Sequence, residues 1–102
     1  MPKLYIISGC NGAGKTTSSQ TILPEILDCR EFVNADYIAA GLSPFQPDTV
    51  AIAAGRIMLD RIKDLINLNV SFAIETTLSS KTLKQTIESA KDKRYEIILL
   101  YF

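Results

Sequence analysis

With 102 residues and charges that cancel, eleven basic against eleven acidic, the chain has room for one small domain, residues 1–102, and gives a polyanion or a membrane surface no electrostatic reason to bind it. No apolar run is long enough to span a bilayer, and Cys10 and Cys29 make neither a disulfide framework nor a metal motif. The lack of histidine excludes a histidine base, a Ser-His-Asp triad and histidine-ligated zinc, so proton transfer falls to a carboxylate, lysine, tyrosine or water.

In chain order, the first predicted element is a buried strand, Lys3–Ser8, around the apolar run Leu4-Tyr5-Ile6-Ile7. It enters almost at Met1, leaving no room for a signal peptide, and with two unpaired thiols this reads as a reduced, cytoplasmic protein. Next comes Gly9-Cys10-Asn11-Gly12-Ala13-Gly14-Lys15-Thr16, a complete G-x-x-x-x-G-K-[ST] phosphate-binding loop, followed from Thr17 by a helix expected to end near Pro24. Strand, loop and helix in that order are what turn the pattern into a site. The glycines let successive N–H groups point at an anion, Lys15 adds a cation for the β- and γ-phosphates of ATP, and the Thr16 hydroxyl is suited to Mg²⁺. Gly9 to Thr17 are therefore the candidate nucleotide-binding residues. Cys10 reads as a structural filler within the loop, with a redox-sensitive thiol as the alternative.

Glu31–Asn34 reads as a short second strand, Asp36–Ala40 as a helical turn closed by Gly41, and Ser43–Pro47 as a rigid loop. A long helix follows over about 48–67. Its apolar residues Val50, Ala53, Ala54, Ile57, Met58, Ile62, Leu65 and Ile66 fall close to one face, with Arg56 and Arg61 on a solvated one. Val70–Ile74 is a third strand closing on Glu75, Ser79 or Ser80 caps a helix to about Lys93, and Tyr95–Phe102 is a fourth strand.

Alternating strands and helices predict an α/β fold, a three-layer phosphate-loop kinase architecture with a parallel sheet and helices on both faces. In such a sheet the ligand lies beyond the carboxyl ends of the strands. Those ends carry Gly9–Thr16, Asn34-Ala35-Asp36 and Glu75-Thr76-Thr77, so polar residues converge on the edge that holds the phosphate loop. The chain stops inside its fourth strand, as a fragment or a product shorter than its relatives would. If the polypeptide ends there, an exposed apolar sheet edge favours self-association.

Asp36 is the preferred general base, placed to accept a hydroxyl proton as an alcohol attacks the γ-phosphorus. It is also suited to touching Mg²⁺ through water, or to capping a helix. Glu75 closes a buried strand with a charge that must be paired or solvated. Holding an acceptor hydroxyl or a magnesium water are two reasons, and an exposed loop carboxylate is the bland alternative. Thr76 and Thr77 are hydrogen-bond donors to substrate, or turn residues. Asn34 is a residue that can hold the segment presenting Asp36. No acid closes the fourth strand, which argues against a motor-type ATPase.

The phosphate loop, Phe32-Val33-Asn34-Ala35-Asp36 and Ile74-Glu75-Thr76-Thr77-Leu78-Ser79 together resemble the amino-terminal part of the zeta-toxin family of phosphate-loop kinases, over essentially the whole chain. The resemblance implies an ATP-dependent kinase acting on a hydroxyl of a nucleotide sugar, with UDP-N-acetylglucosamine the acceptor of well-known members. It implies Asp36 as catalytic base, Lys15 and Thr16 on ATP and magnesium, and Glu75 and Thr77 lining the acceptor pocket. Toxin members tend to carry an arginine shortly after the Glu-x-Thr segment, where this chain has Ser79, and the family's later lid arginines have no counterpart before Phe102.

Two other readings stay open on the residues alone: a phosphate-loop kinase for a different small-molecule alcohol, and a nucleotide-binding module without turnover. Nucleic-acid binding has no support, because there is no basic stripe or aromatic platform. No feature of the chain identifies an antitoxin partner.

Overall fold

Four parallel strands form the centre of the molecule, in the order β2-β3-β1-β4. The computed structural model describes residues 1–8, 22–75 and 78–101. The strands are β1 (Lys3–Ser8), β2 (Phe32–Val33), β3 (Phe72–Glu75) and β4 (Glu96–Tyr101); the helices are α1 (Ala35–Leu42), α2 (Ala51–Leu68) and α3 (Ser80–Asp92). The α/β architecture expected from the alternation of elements is the one observed.

Each connection goes to the face its direction requires. From β1 the chain moves two places across the sheet to β2. It then reverses, returning through α1 and α2 to β3 and through α3 to β4. A right-handed crossover places its helix on opposite faces for opposite directions of travel. Accordingly Met58, Ile62, Leu65 and Ile66 of α2 and Ala90 of α3 pack on Leu4, Ile6, Val33, Phe72 and Ile74. Leu23, Leu27 and Cys29, from the β1–β2 connection, pack on Tyr5, Ile7 and Ala73 of the other face. Successive residues of β1 and β3 thus divide between two cores, as the period of two demands.

Of the helix expected from Thr17 to near Pro24, residues 17–21 lie outside the described residues, and Ile22–Ile26 form a π-helical turn that runs past Pro24. Proline has no N–H to give, and the turn closes around it through a bond from Leu27 N to Ile22 O of 3.0 Å. Asp28, with φ 53°, then turns the chain toward β2.

Three further expectations are corrected. Gly41 does not close the helical turn after β2. Gly41 does not take the left-handed conformation of a helix-closing glycine, so helix α1 continues to Leu42 and its end falls at Ser43, whose N–H reaches Ala39 O at 2.9 Å. In α2 the buried stripe is Ala54, Met58, Ile62, Leu65 and Ile66. Ala53 and Ile57 stand one residue, or about 100° of helical rotation, to its side and are exposed. Arg61 is not simply solvated: its Nη2 lies 2.7 Å from Glu31 Oε1, tying α2 to the residue before β2. Both side chains are nearly half exposed, so the pair contributes little, of order 0–1 kcal/mol.

Helix α2 ends on Asn69 in the left-handed conformation, φ 57°, a place where asparagine is tolerated. The turn that follows is held from the far side of the core. Tyr95 Oη lies 2.7 Å from Val70 O and 3.0 Å from Leu65 O, and its ring packs edge-on against Phe72 at 5.8 Å. Burial pushes the Tyr95 phenol above its usual pKa, so it stays a donor. Tyr95→Phe keeps the ring and removes the donor. We expect it to cost about 1–2 kcal/mol in urea denaturation, because Val70 O loses the phenol as its donor, while Leu65 O keeps its backbone bond from Val70 N.

Strand β4 pairs with β1, and Leu99 and Tyr101 on it are 73% and 76% exposed. Among the described residues no helix is long and apolar enough to cross a membrane.

Candidate functional site

The site is set by strand register. β1 and β3 align Ile7 with Glu75, while β2 and β3 align Val33 with Ile74. The residue after Val33 therefore stands beside Glu75, and the end of β1 lies on the other side of Glu75. Alternation settles the face as well. Val33 and Ile74 share one core, so Asn34 and Glu75, one residue on, both belong to the other face, that of Ile7.

Asn34 and Glu75, forty-one residues apart in sequence, are joined by a bond from Asn34 Nδ2 to Glu75 Oε2 of 2.6 Å. Both are almost wholly buried, Asn34 2% and Glu75 3% exposed. Glu75 is thus no ordinary loop carboxylate. It belongs to β3 and its charge is met by a buried amide.

Asn34 has a second task. Its backbone is extended, φ −139° and ψ 120°, and its Oδ1 accepts from Asp36 N at 2.7 Å and Tyr37 N at 3.3 Å. That is the N-cap of α1, and it explains why β2 stops at Val33. The cap is therefore Asn34 and not Asp36. Asp36 sits in the first turn of α1, where a carboxylate suits the positive end of the helix, and its side chain is left exposed.

Beside Asp36 lies a cleft of about 300 Å³ between α1 and the start of α2, lined by Ala35, Asp36, Ala39, Pro47, Asp48, Ala51 and Ala54. Its walls are small and apolar, and Asp36 and Asp48 are its charged members. Asp48 and Pro47 read in sequence only as the beginning of a helix. The 3₁₀ turn Pro47–Val50 is what brings them opposite Asp36. A larger groove, about 500 Å³, runs between α2 and α3, but Asn34, Asp36 and Glu75 do not line it.

Of the sequence-predicted site residues, the structure places Asp36 and Glu75 and links both to Asn34. The phosphate-loop residues Gly9, Cys10, Asn11, Gly12, Ala13, Gly14, Lys15, Thr16 and Thr17 lie outside the described residues, as do Thr76 and Thr77. Ser79 serves as N-cap of α3, its Oγ accepting from Thr82 N at 3.2 Å. Cys29 is buried, its thiol pushed up in pKa chiefly by desolvation, and takes no part in this edge. No group of three or more potential metal ligands occurs among the described residues.

No protein-family model matches the chain. An uncharacterized protein of Haemophilus influenzae is 28% identical over 102 residues, which cover 97% of this chain and 69% of that protein. Among solved structures, a chain from the PezAT chromosomal toxin–antitoxin system of Streptococcus pneumoniae superposes with a TM-score of 0.81 at 22% identity, covering 99% of this chain and 46% of that one. A protein of Chloroflexus aurantiacus, described provisionally as a kinase, superposes with a TM-score of 0.73 at 17% identity, covering 98% of this chain and 58% of that one. The chain thus spans about half the length of the solved proteins it matches. It shares the fold of these two solved proteins.

Proposed function

We propose that the chain carries the nucleotide-binding and acceptor-activating part of a phosphate-loop kinase, one that moves the γ-phosphoryl group of ATP to a hydroxyl of a small molecule. The observation that supports this most directly is the Asn34-linked pair Asp36 and Glu75. It stands at the carboxyl edge of the sheet, beside the end of β1 from which the Gly9–Thr16 sequence departs.

In this reading the backbone N–H groups of Gly9 to Thr17 and the Lys15 ammonium hold the phosphates, and the Thr16 hydroxyl is the protein ligand suited to Mg²⁺. Bound ATP and magnesium supply the transferable phosphoryl group and neutralise its charge. Asp36 takes the proton from the acceptor hydroxyl as that oxygen bonds to phosphorus and the bond to the β–γ bridging oxygen breaks, leaving ADP. Glu75, positioned by Asn34, contacts the acceptor alcohol or a magnesium-bound water. Thr77 completes the acceptor contacts.

UDP-N-acetylglucosamine is the acceptor that the zeta-toxin resemblance names. A different alcohol is favoured by one observation: Ser79, where toxin members tend to have an arginine, uses its side chain to cap α3.

The test is a calorimetric titration with ATP and magnesium. Wild-type protein should bind, and Lys15→Ala should weaken binding about 10- to 100-fold, the cost of one charge-assisted contact. Equal affinities in the two folded proteins would remove the basis of the proposal.

A further inference from the structure

We infer that Asn34 is a positioning residue for phosphoryl transfer, one that fixes the two carboxylates of the site relative to each other; this rests on the kinase reading above. Its amide works at both ends. Oδ1 accepts from Asp36 N and Tyr37 N, and Nδ2 donates to Glu75 Oε2. These partners leave one orientation for the amide, since a flip would set its NH₂ against two N–H donors and its oxygen against a carboxylate. At 2% exposure, water does not compete for either end.

The consequence is geometric. Asp36 belongs to α1 and Glu75 to β3, elements that meet through no shared backbone ladder. The Asn34 side chain anchors the first turn of α1, and so the Cα of Asp36, to the head group of Glu75. A base and an acceptor-binding carboxylate need their separation held to a fraction of an ångström for efficient transfer. A residue with an acceptor at one end and a donor at the other meets that need.

Two substitutions separate the two ends. Serine is a good N-cap and too short to reach Glu75, so Asn34→Ser keeps the cap and loses the link. Aspartate is an equally good cap, but Asn34→Asp sets a second carboxylate against Glu75 where the donor stood. Two carboxylates at such range share one proton, so the pKa of the pair's last proton is raised. The shared-proton link exists below that raised pKa and is lost as pH rises through it. The strand ends flanking Glu75 are Ile7 and Ser8 on β1, and Val33 of β2 with Asn34 after it, while α1 brings Asp36 and Tyr37. Asp36, Tyr37 and Lys15 are common to both proteins, so the ratio of variant to wild type isolates the new pair.

The experiment measures ADP formation from Mg·ATP, with water and with UDP-N-acetylglucosamine as trial acceptors, across about pH 5.5–8.5. Folding of each protein is followed by circular dichroism. Asn34→Ser should lower kcat roughly tenfold at every pH, with KM for ATP unchanged. Asn34→Asp should approach wild type at the acid end and fall at least about tenfold below it at the alkaline end. Wild-type turnover accompanied by a pH-independent Asn34→Asp ratio overturns this inference and leaves the kinase reading standing. Absence of both ATP binding and turnover in wild-type protein overturns the kinase reading and the inference with it. Should Asn34→Asp not fold, a wild-type kcat in Asn34→Ser is by itself sufficient to overturn the role given to Asn34.

Discussion

Asp36→Asn is expected to lower turnover of Mg·ATP by roughly 10²–10⁴, the usual contribution of a positioned general base, while nucleotide affinity stays as in wild type. The substitution is close to isosteric. The backbone N–H of Asp36 is held by Asn34, whose cap is untouched, and the side chain is exposed beside the cleft, so nothing in the core moves. Loss of a carboxylate in the first turn of α1 weakens its interaction with the helix dipole by about 0.3–1 kcal/mol, visible in a melt but small beside the kinetic effect. Product formation under saturating ATP, together with a calorimetric titration, checks both halves. Unchanged turnover would reduce Asp36 to a helix-dipole residue and move the base elsewhere.

Phe72→Ala should be the most destabilising single change outside the site, costing about 3–5 kcal/mol. Phe72 opens β3 with no exposed surface, stands opposite Leu4 of β1, and meets the ring of Tyr95 edge-on. Truncation leaves a cavity between sheet and helices that the register of β3 prevents from closing. A domain of this size has about 5–15 kcal/mol in hand, so the melting temperature should drop by roughly 15–30 °C. A fall of only a few degrees would mean that this core rearranges, contrary to its close packing. The same melt records whether Mg·ATP restores stability, since a ligand that binds only the folded state stabilises it.

How far these features are legible in the sequence differs from residue to residue. The identity of the elements is legible because each depends on local pattern. Leu4 to Ile7 and Phe72 to Ile74 are apolar runs too short for anything but buried strands, and the Met58–Ile62–Leu65 spacing admits only a helix face. Asp36 and Glu75 are legible as site residues because a parallel sheet gathers its strand ends on one edge. Their link through Asn34 is not, since it follows from pairing Val33 with Ile74 rather than with a neighbour. Asp48 is likewise invisible beside Asp36 until α2 folds back across α1.

The residues in order thus determined the elements, the α/β alternation and the phosphate-binding pattern, because propensity, periodicity and loop chemistry act over a few neighbouring positions. Tertiary structure alone decided the order β2-β3-β1-β4, the burial of Glu75, the capping role of Asn34 in place of Asp36, and the turning of Arg61 toward Glu31. Each of these depends on which distant segments share a ladder or a core, and a one-residue shift in register would exchange the two faces of the strand it moved.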